Sequence, residues 1–190
     1  FAHKNRPKNM QRKDLDKLDK ENWFISNTLA GMSLYVDRFC GNISNLEEKL
    51  SYFKELGVNV LHPMPIFESP EGESDGGYAV SDFRKIDKRF GTLDDLQHLQ
   101  QKMEDDEMYL MADIVLNHTS NLHEWAMKAK AGDKKYQDYF YMYDDRYMPD
   151  QFKKAMHDIF PAVAPENFTL LESSKKWVMT VFHNNQWHLI

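Results

Sequence analysis

The chain has 190 residues, 42% hydrophobic and 13% aromatic, which is enough apolar material for a buried core and too much for wholesale disorder. With 24 basic against 30 acidic residues the formal charge is −6, which argues against a general nucleic-acid binder, whose docking face is basic. Apolar runs stay far short of the roughly 20 residues that cross a bilayer, and a single cysteine, Cys40, excludes an internal disulfide or a multi-cysteine zinc or iron–sulfur centre.

The charge is uneven. Residues 1–20 carry seven Lys/Arg against three Asp, a net of +4, leaving −10 for the remainder. This start has no apolar h-region and does not read as a secretory signal peptide, which favours a cytoplasmic location. It opens at Phe1 rather than Met, which points to a true N-terminus further upstream. Residues 1–22 form a polar segment in which 14–18 suit a solvated helix. Order is expected from Trp23. Met32 to Val36 reads as a strand. Ser44 and Glu47 have capping-box spacing, and Leu46, Leu50, Phe53 and Leu56 recur at helical intervals before Gly57. Val58 to Leu61 reads as the next strand, halted by Pro63 and Pro65. A long loop over 63–91 follows, then a helix capped by Thr92 and Asp95 with Leu93, Leu96, Leu99 and Met103 along one side. Tyr109 to Leu116 reads as a third strand, apolar on both faces except for Asp113.

Strand, helix, strand, helix, strand implies a parallel α/β sheet, either open or the start of a (β/α)8 TIM barrel. A short helix over 122–131 ends near Gly132. Beyond it the alternation stops, and Tyr136, Tyr139, Phe140, Tyr141, Tyr143 and Tyr147 crowd together as the core of an inserted piece. The expected layout is residues 1–22 as the polar segment, 23–132 as the first three βα units, and 133–190 as the inserted piece.

Two stretches carry chemistry. In Asp113-Ile-Val-Leu-Asn117-His118-Thr119, an acid inside a doubly buried strand is costly unless paired, and Asn117 and His118 fall at the strand's C-terminal end, where parallel folds gather their active sites. A buried anchor at Asp113 and a plain loop histidine at His118 explain the same residues equally well. In Ser74-Asp75-Gly76-Gly77-Tyr78, two glycines permit a tight backbone that lets Asp75 and Tyr78 approach one ligand. A carboxylate that accepts hydroxyl hydrogen bonds beside an aromatic face that stacks on C–H surfaces suits a sugar; a simple Asp-Gly turn is the structural alternative. His118/His123 and His183/His188 are five apart, a spacing that matches no helical metal pair. Cys40 reads as structural. The sequons at Asn42, Asn117 and Asn167 read as chance matches. Walker, GxGxxG and GxSxG motifs are absent, which leaves nucleotide binding and an elbow-type serine hydrolase without support.

Taken in order, these stretches resemble the α-amylase family, glycoside hydrolase family 13. Asp113 to Thr119 is similar to that family's first conserved region, and Asp75-Gly-Gly-Tyr78, Asp82-Phe-Arg, Phe90-Gly-Thr92 and Asp95-Leu to its segment after strand two. Tyr35-Val-Asp-Arg-Phe39, Leu61-His-Pro-Met-Pro65, His123-Glu-Trp125 and Arg146-Tyr-Met-Pro-Asp-Gln151 extend the likeness toward amylosucrase. The resemblance implies the first three βα units of a (β/α)8 barrel with the start of an inserted B domain, from a retaining enzyme that acts on sucrose and passes glucose to an α-glucan acceptor or to water. Sucrose hydrolase, sucrose phosphorylase and α-glucosidase activities remain open beside it. By position it implies that Asp75, Tyr78 and His118 bind the glucosyl ring, with Asp113 and Asn117 as site-supporting residues. The nucleophile and the acid/base would follow later strands, beyond Ile190, so the chain alone is expected to be inactive. Amylases often ligate calcium at the Asn117 position; amylosucrase-like members are not expected to need it, so no metal and no cofactor is assigned. Near the end, Asn185 and His188 stand where an aromatic and an Asp are usual in such sequences. A non-catalytic carbohydrate-binding module on a degenerate barrel is the competing reading.

Overall fold

The computed structural model describes residues 8–20 and 22–190; the expectations for residues 1–7 and Glu21 lie outside the described residues. Helix α1 (Lys8–Asp19) leads in, and Lys17 Nζ sits 4.4 Å above the Trp23 ring and 4.5 Å above that of Tyr109. Such cation–π contacts, each worth about 0.5–1 kcal/mol at exposed sites, tie the helix to the barrel strands. Strand β1 (Gly31–Tyr35) runs into the single turn α2 (Val36–Phe39). The next helix does not start at the Ser44 box. Asn42 Oδ1 accepts from Asn45 N at 2.8 Å, so helix α3 (Ile43–Glu48) is capped two residues earlier, and a break at Lys49 separates it from α4 (Leu50–Glu55). Ile43, Leu46, Leu50 and Phe53 are buried, whereas Leu56, past the helix end, is 52% exposed.

Strand β2 (Val60–Met64) lies parallel to β1 with Gly31 opposite Val60 and Tyr35 opposite Met64, and it runs through Pro63 rather than stopping there. The carbonyls of Asn59 and Leu61 accept from Tyr109 and Met111 on the other side. Pro63 turns its missing N–H toward that same side, where the ladder has already ended. The short hairpin β3 (Phe67–Glu68) and β4 (Asp82–Ile86) frames the long loop. Helix α5 (Leu93–Asp105) has the expected capping box of Thr92 and Asp95, and it buries Leu99 and Met103 while leaving Leu93 half exposed.

The third strand is much shorter than its sequence suggests. β5 (Tyr109–Leu110) pairs in parallel with β2, but residues 111–116 take no regular structure, with Ile114 64% and Leu116 76% exposed. Among the described residues no strand pairs with β5 on its far edge, and the exposure of Ile114 and Leu116 shows that the apolar run is not covered on both faces as expected. The β1-β2-β5 sheet is nevertheless parallel with helices between its strands, as the first units of a (β/α)8 barrel require.

From β6 (His118–Ser120) the architecture changes. Helices α6 (Glu124–Lys130), α7 (Lys134–Gln137) and α8 (Tyr147–Ala155) alternate with short antiparallel strands β7 (Met142–Tyr143), β8 (Phe168–Leu171), β9 (Lys176–Met179) and β10 (Gln186–His188). α6 is shorter than the 122–131 expected, because the His123 ring accepts the Trp125 N–H and caps it there. The order β7-β9-β8 makes one sheet, and β10 pairs with β6. Most of the aromatic run is packing. Phe140 and Trp187 share one core with Tyr136 and Tyr139, while Tyr141 and Tyr143 join Phe168 in another; Tyr147 is 68% exposed. Cys40 is half-buried with Sγ directed at the Val36 and Asn42 carbonyls, and burial raises its pKa, which disfavours a reactive thiolate. Among the described residues no helix is long and apolar enough to cross a membrane.

Candidate active site

The sheet's C-terminal end gathers all five residues singled out from the sequence. The loop after β2 delivers two of them. Gly77, at φ +97°, packs so closely that a Cβ would lie 3.0 Å from the Pro65 carbonyl, so only glycine fits. The preceding Asp75 is itself at φ +47°, exposed, with Oδ2 accepting from Gln186 Nε2 at 2.7 Å. Tyr78 is half-buried, and its carbonyl lies 3.2 Å from His118 Nε2. Burial, with the Asp113 carboxylate and Tyr35 nearby, raises the Tyr78 phenol above its ordinary value. The phenol therefore stays protonated and can donate.

β6 and β10 supply the facing wall. Their register sets His118 opposite His188 and Ser120 opposite Gln186. His118 is 6% exposed, packed beside the Phe182 ring at 5.6 Å and the His188 ring at 5.6 Å. Asn117 Nδ2 lies 3.1 Å from His118 Nδ1 and 3.3 Å from His188 Nδ1. Asp113 is half-buried rather than sealed in a sheet, and it does have a partner: His62 Nε2 at 3.0 Å, a charge-pair distance at an angle outside hydrogen-bond geometry. The other nitrogen of His62, Nδ1, lies 3.1 Å from Ser33 Oγ. Side chains of β1, β2 and the segment after β5 thus form one polar row beneath Tyr78. The arrangement offers a carboxylate, a phenol, an imidazole and an aromatic face around one open end of the sheet, which is the equipment for holding a polyhydroxyl ring.

The profile of the alpha amylase catalytic domain matches residues 7–190. The chain belongs to the alpha-amylase family. It is 43% identical over 101 residues to an oligo-1,6-glucosidase of Bacillus cereus, a match over 53% of this chain and 18% of that protein. It is 32% identical over 137 residues to a salivary alpha-glucosidase of Aedes aegypti, over 72% and 22% respectively. The isomaltulose synthase of Erwinia rhapontici NX5, solved as a mutant with its natural substrate sucrose, superposes with a TM-score of 0.72 at 27% identity, covering 85% of this chain and 29% of that one. The trehalose-6-phosphate hydrolase of Bacillus licheniformis shares the fold, with a TM-score of 0.74 at 24% identity over 88% and 30%. The chain spans less than a third of the length of each of these alpha-amylase-family proteins. None of the four is an amylosucrase.

Four residues of this candidate site carry no assigned role in the sequence reading: His62, Phe182, Gln186 and His188. His62 faces inward because it alternates with the buried Leu61 and Pro63, a strand-period pattern that was readable. Gln186 and His188 depend on a pairing between β6 and β10 across 66 to 70 residues of chain, which no local pattern announces. Asn117 Nδ2 lies toward two imidazoles, His118 and His188. Among the described residues no three His, Cys, Asp or Glu side chains gather as a metal site.

Both imidazoles are held below their ordinary value. Burial is the main cause in each; the Tyr78 carbonyl and Asp75 oppose it at His118, whereas His118 adds to it at His188, which falls to about 4. The unfolded chain therefore takes up protons that the folded one refuses. This contribution to stability is complete above an ordinary histidine value of about 6.5 and is lost as pH falls toward the lowered one. Acidifying from about pH 7.5 to about pH 5 is expected to remove on the order of 2 kcal/mol through His188, read as a drop in melting temperature. In His188→Gln that drop should be smaller; equal drops in the two proteins would sink the assignment.

Proposed function

We propose that the chain is the glucosyl-holding part of a retaining α-glucoside-acting enzyme, with sucrose as a substrate and an α-glucan end or water as acceptor. The observation that carries this reading is the convergence of Asp75, Tyr78 and His118, joined through the Tyr78 carbonyl and Gln186, at one end of a parallel barrel sheet. Asp75 accepts sugar hydroxyls, Tyr78 packs on the ring, and His118 Nε2–H donates to a hydroxyl that shares or replaces the Tyr78 carbonyl. Asp113 holds His62 and the floor of the site, and Asn117 orients His118. The nucleophile and the acid/base belong to segments that follow later strands, so these residues bind and orient the sugar while others break the bond. Hydrogen bonds to a ring hydroxyl that tighten as the ring becomes oxocarbenium-like lower the barrier rather than only aiding binding. Sucrose is supported by a structural relative solved with that sugar. Simple glucosidase action is the second reading, supported by the oligo-1,6-glucosidase and alpha-glucosidase relatives.

Calorimetric titration of the chain with sucrose and with isomaltose tests the reading. Binding is expected, and Asp75→Ala should weaken it about tenfold or more, the worth of a charge-assisted hydrogen bond. No glucose or fructose should be released by the chain itself. Binding that ignores Asp75→Ala would favour a surface module instead.

A further inference from the structure

His188 stands outside the sugar-holding trio, yet the protons around it can be assigned by exclusion. The Tyr78 carbonyl only accepts, so His118 Nε2, 3.2 Å away, carries a proton and donates it. A neutral imidazole has one N–H, so His118 Nδ1 accepts, and Asn117 must present its amide N–H to it rather than its oxygen. The same amide nitrogen lies 3.3 Å from His188 Nδ1. Its two hydrogens therefore serve two rings, and His188 is also the Nε2–H tautomer. Turning the Asn117 amide over would set its oxygen against both Nδ1 atoms, which would require a cationic His118, already donating from Nε2, and the Nδ1–H tautomer of His188. His188 Nε2 is buried and meets no acceptor among the described residues. The side chain, 7% exposed, leaves one N–H unsatisfied while spending its other nitrogen on Asn117. The Phe182 ring, 5.4 Å from His188 and 5.6 Å from His118, clamps both rings from one side.

We propose that His188 is a positioning residue for His118: its Nδ1 takes the second hydrogen of the Asn117 amide, fixes that amide in one orientation, and so holds His118 as the Nε2–H tautomer that donates to the sugar. The sugar step rests on the reading of His118 given above; the tautomer step does not.

Long-range nitrogen–proton correlation spectra of the chain read the tautomer of His118 directly, and sucrose titration reads the consequence. The native chain should show His118 Nδ1 unprotonated. In His188→Leu nothing holds the Asn117 amide by its second hydrogen, and the Tyr78 carbonyl alone favours the tautomer; with sucrose present to displace that carbonyl, His118 should populate both tautomers and binding should weaken about tenfold. His188→Asn places an acceptor oxygen near the position of Nδ1 and should restore the single tautomer; His188→Gln, whose oxygen reaches the position of Nε2, should not. The Asn and Gln pair keeps the test decisive if the Leu variant does not fold. A single Nε2–H tautomer that survives in His188→Leu with sucrose present, or equal rescue by Gln and Asn, overturns the proposal. A shifted tautomer with unchanged sucrose binding upholds the positioning role and overturns the sugar contact of His118 instead.

Discussion

Replacing Trp187 by Ala is expected to cost about 3–5 kcal/mol of stability, the range for truncating a large buried aromatic. Trp187 is 1% exposed, meets the Phe140 ring edge-on at 5.5 Å, and carries Lys130 Nζ 5.2 Å above its face. It shares a core with Ala126, Ala129, Leu171 and Val178, so a cavity there touches α6, β8 and β9 together. The neighbours are small or on short strands held by few bonds, and they have little freedom to close over the void. The effect reaches the site, because Trp187 sits between Gln186 and His188 on a strand of three residues. Loosening β10 releases the bond from Gln186 to Asp75 and the contact of His188 with Asn117. Urea unfolding monitored by near-ultraviolet circular dichroism measures the loss, and Trp187→Phe should recover much of it by keeping the edge-on contact. A loss below about 1 kcal/mol would mean that this core is not what holds β10 to β6.

Arg89→Ala should destabilise by about 2–3 kcal/mol through the charge it abandons. Asp87 is 3% exposed and accepts from Arg89 Nε at 2.9 Å, from Arg89 Nη2 at 2.8 Å and from Ser69 Oγ at 3.2 Å. The Arg89 side chain is 44% exposed, and its solvated part places the cost at the low end for a buried pair. Burial alone would raise the Asp87 carboxyl, but the side-chain and backbone hydrogen bonds from Arg89 outweigh it and hold the group below the usual carboxylate range. The pair therefore stabilises fully above an ordinary Asp value near 4, and its contribution disappears as pH falls through the lowered value. That window lies below the one in which the histidines act. In Arg89→Ala the carboxylate loses its support, and acid unfolding should begin at higher pH than in the native chain. Thermal melts across pH decide the matter. Because Asp87 and Ser69 flank the β3–β4 hairpin that frames the Asp75 loop, sucrose binding should weaken in the same variant. Unchanged acid stability would show that the carboxylate does not depend on the guanidinium.

Residues in contact along the chain were the legible ones. The Thr92 and Asp95 box is a three-residue relation, and the order of βα units follows from local periodicity, so both appear in the fold as the sequence reads them. The Ser44 box misleads because Asn42, two residues earlier, offers a competing side-chain oxygen to Asn45 N. The third strand misleads because periodicity reports what a segment would bury if it were covered, whereas Ile114 and Leu116 stand exposed beyond the two residues that pair with β2. An acid at 113 signalled the need for a partner, but nothing local points to His62, which arrives from another strand.

Legible along the chain were the family, the parallel opening units, the Gly-Gly turn that presents Asp75 and Tyr78, and Asp113, Asn117 and His118 as candidates. Each of these rests on residue type and short spacing, which chain connectivity preserves. Folding alone brings Gln186 to Asp75, His62 to Asp113, and one amide of Asn117 between two histidines. Those contacts join residues 51 to 111 positions apart, or depend on the facing of two short strands, and they are set by sheet register and core packing rather than by any pattern along the chain. The composition that at first indicated only a core large enough for one domain thus divides between a parallel-sheet core and an aromatic-rich core among the later helices and antiparallel strands, with the candidate site between them.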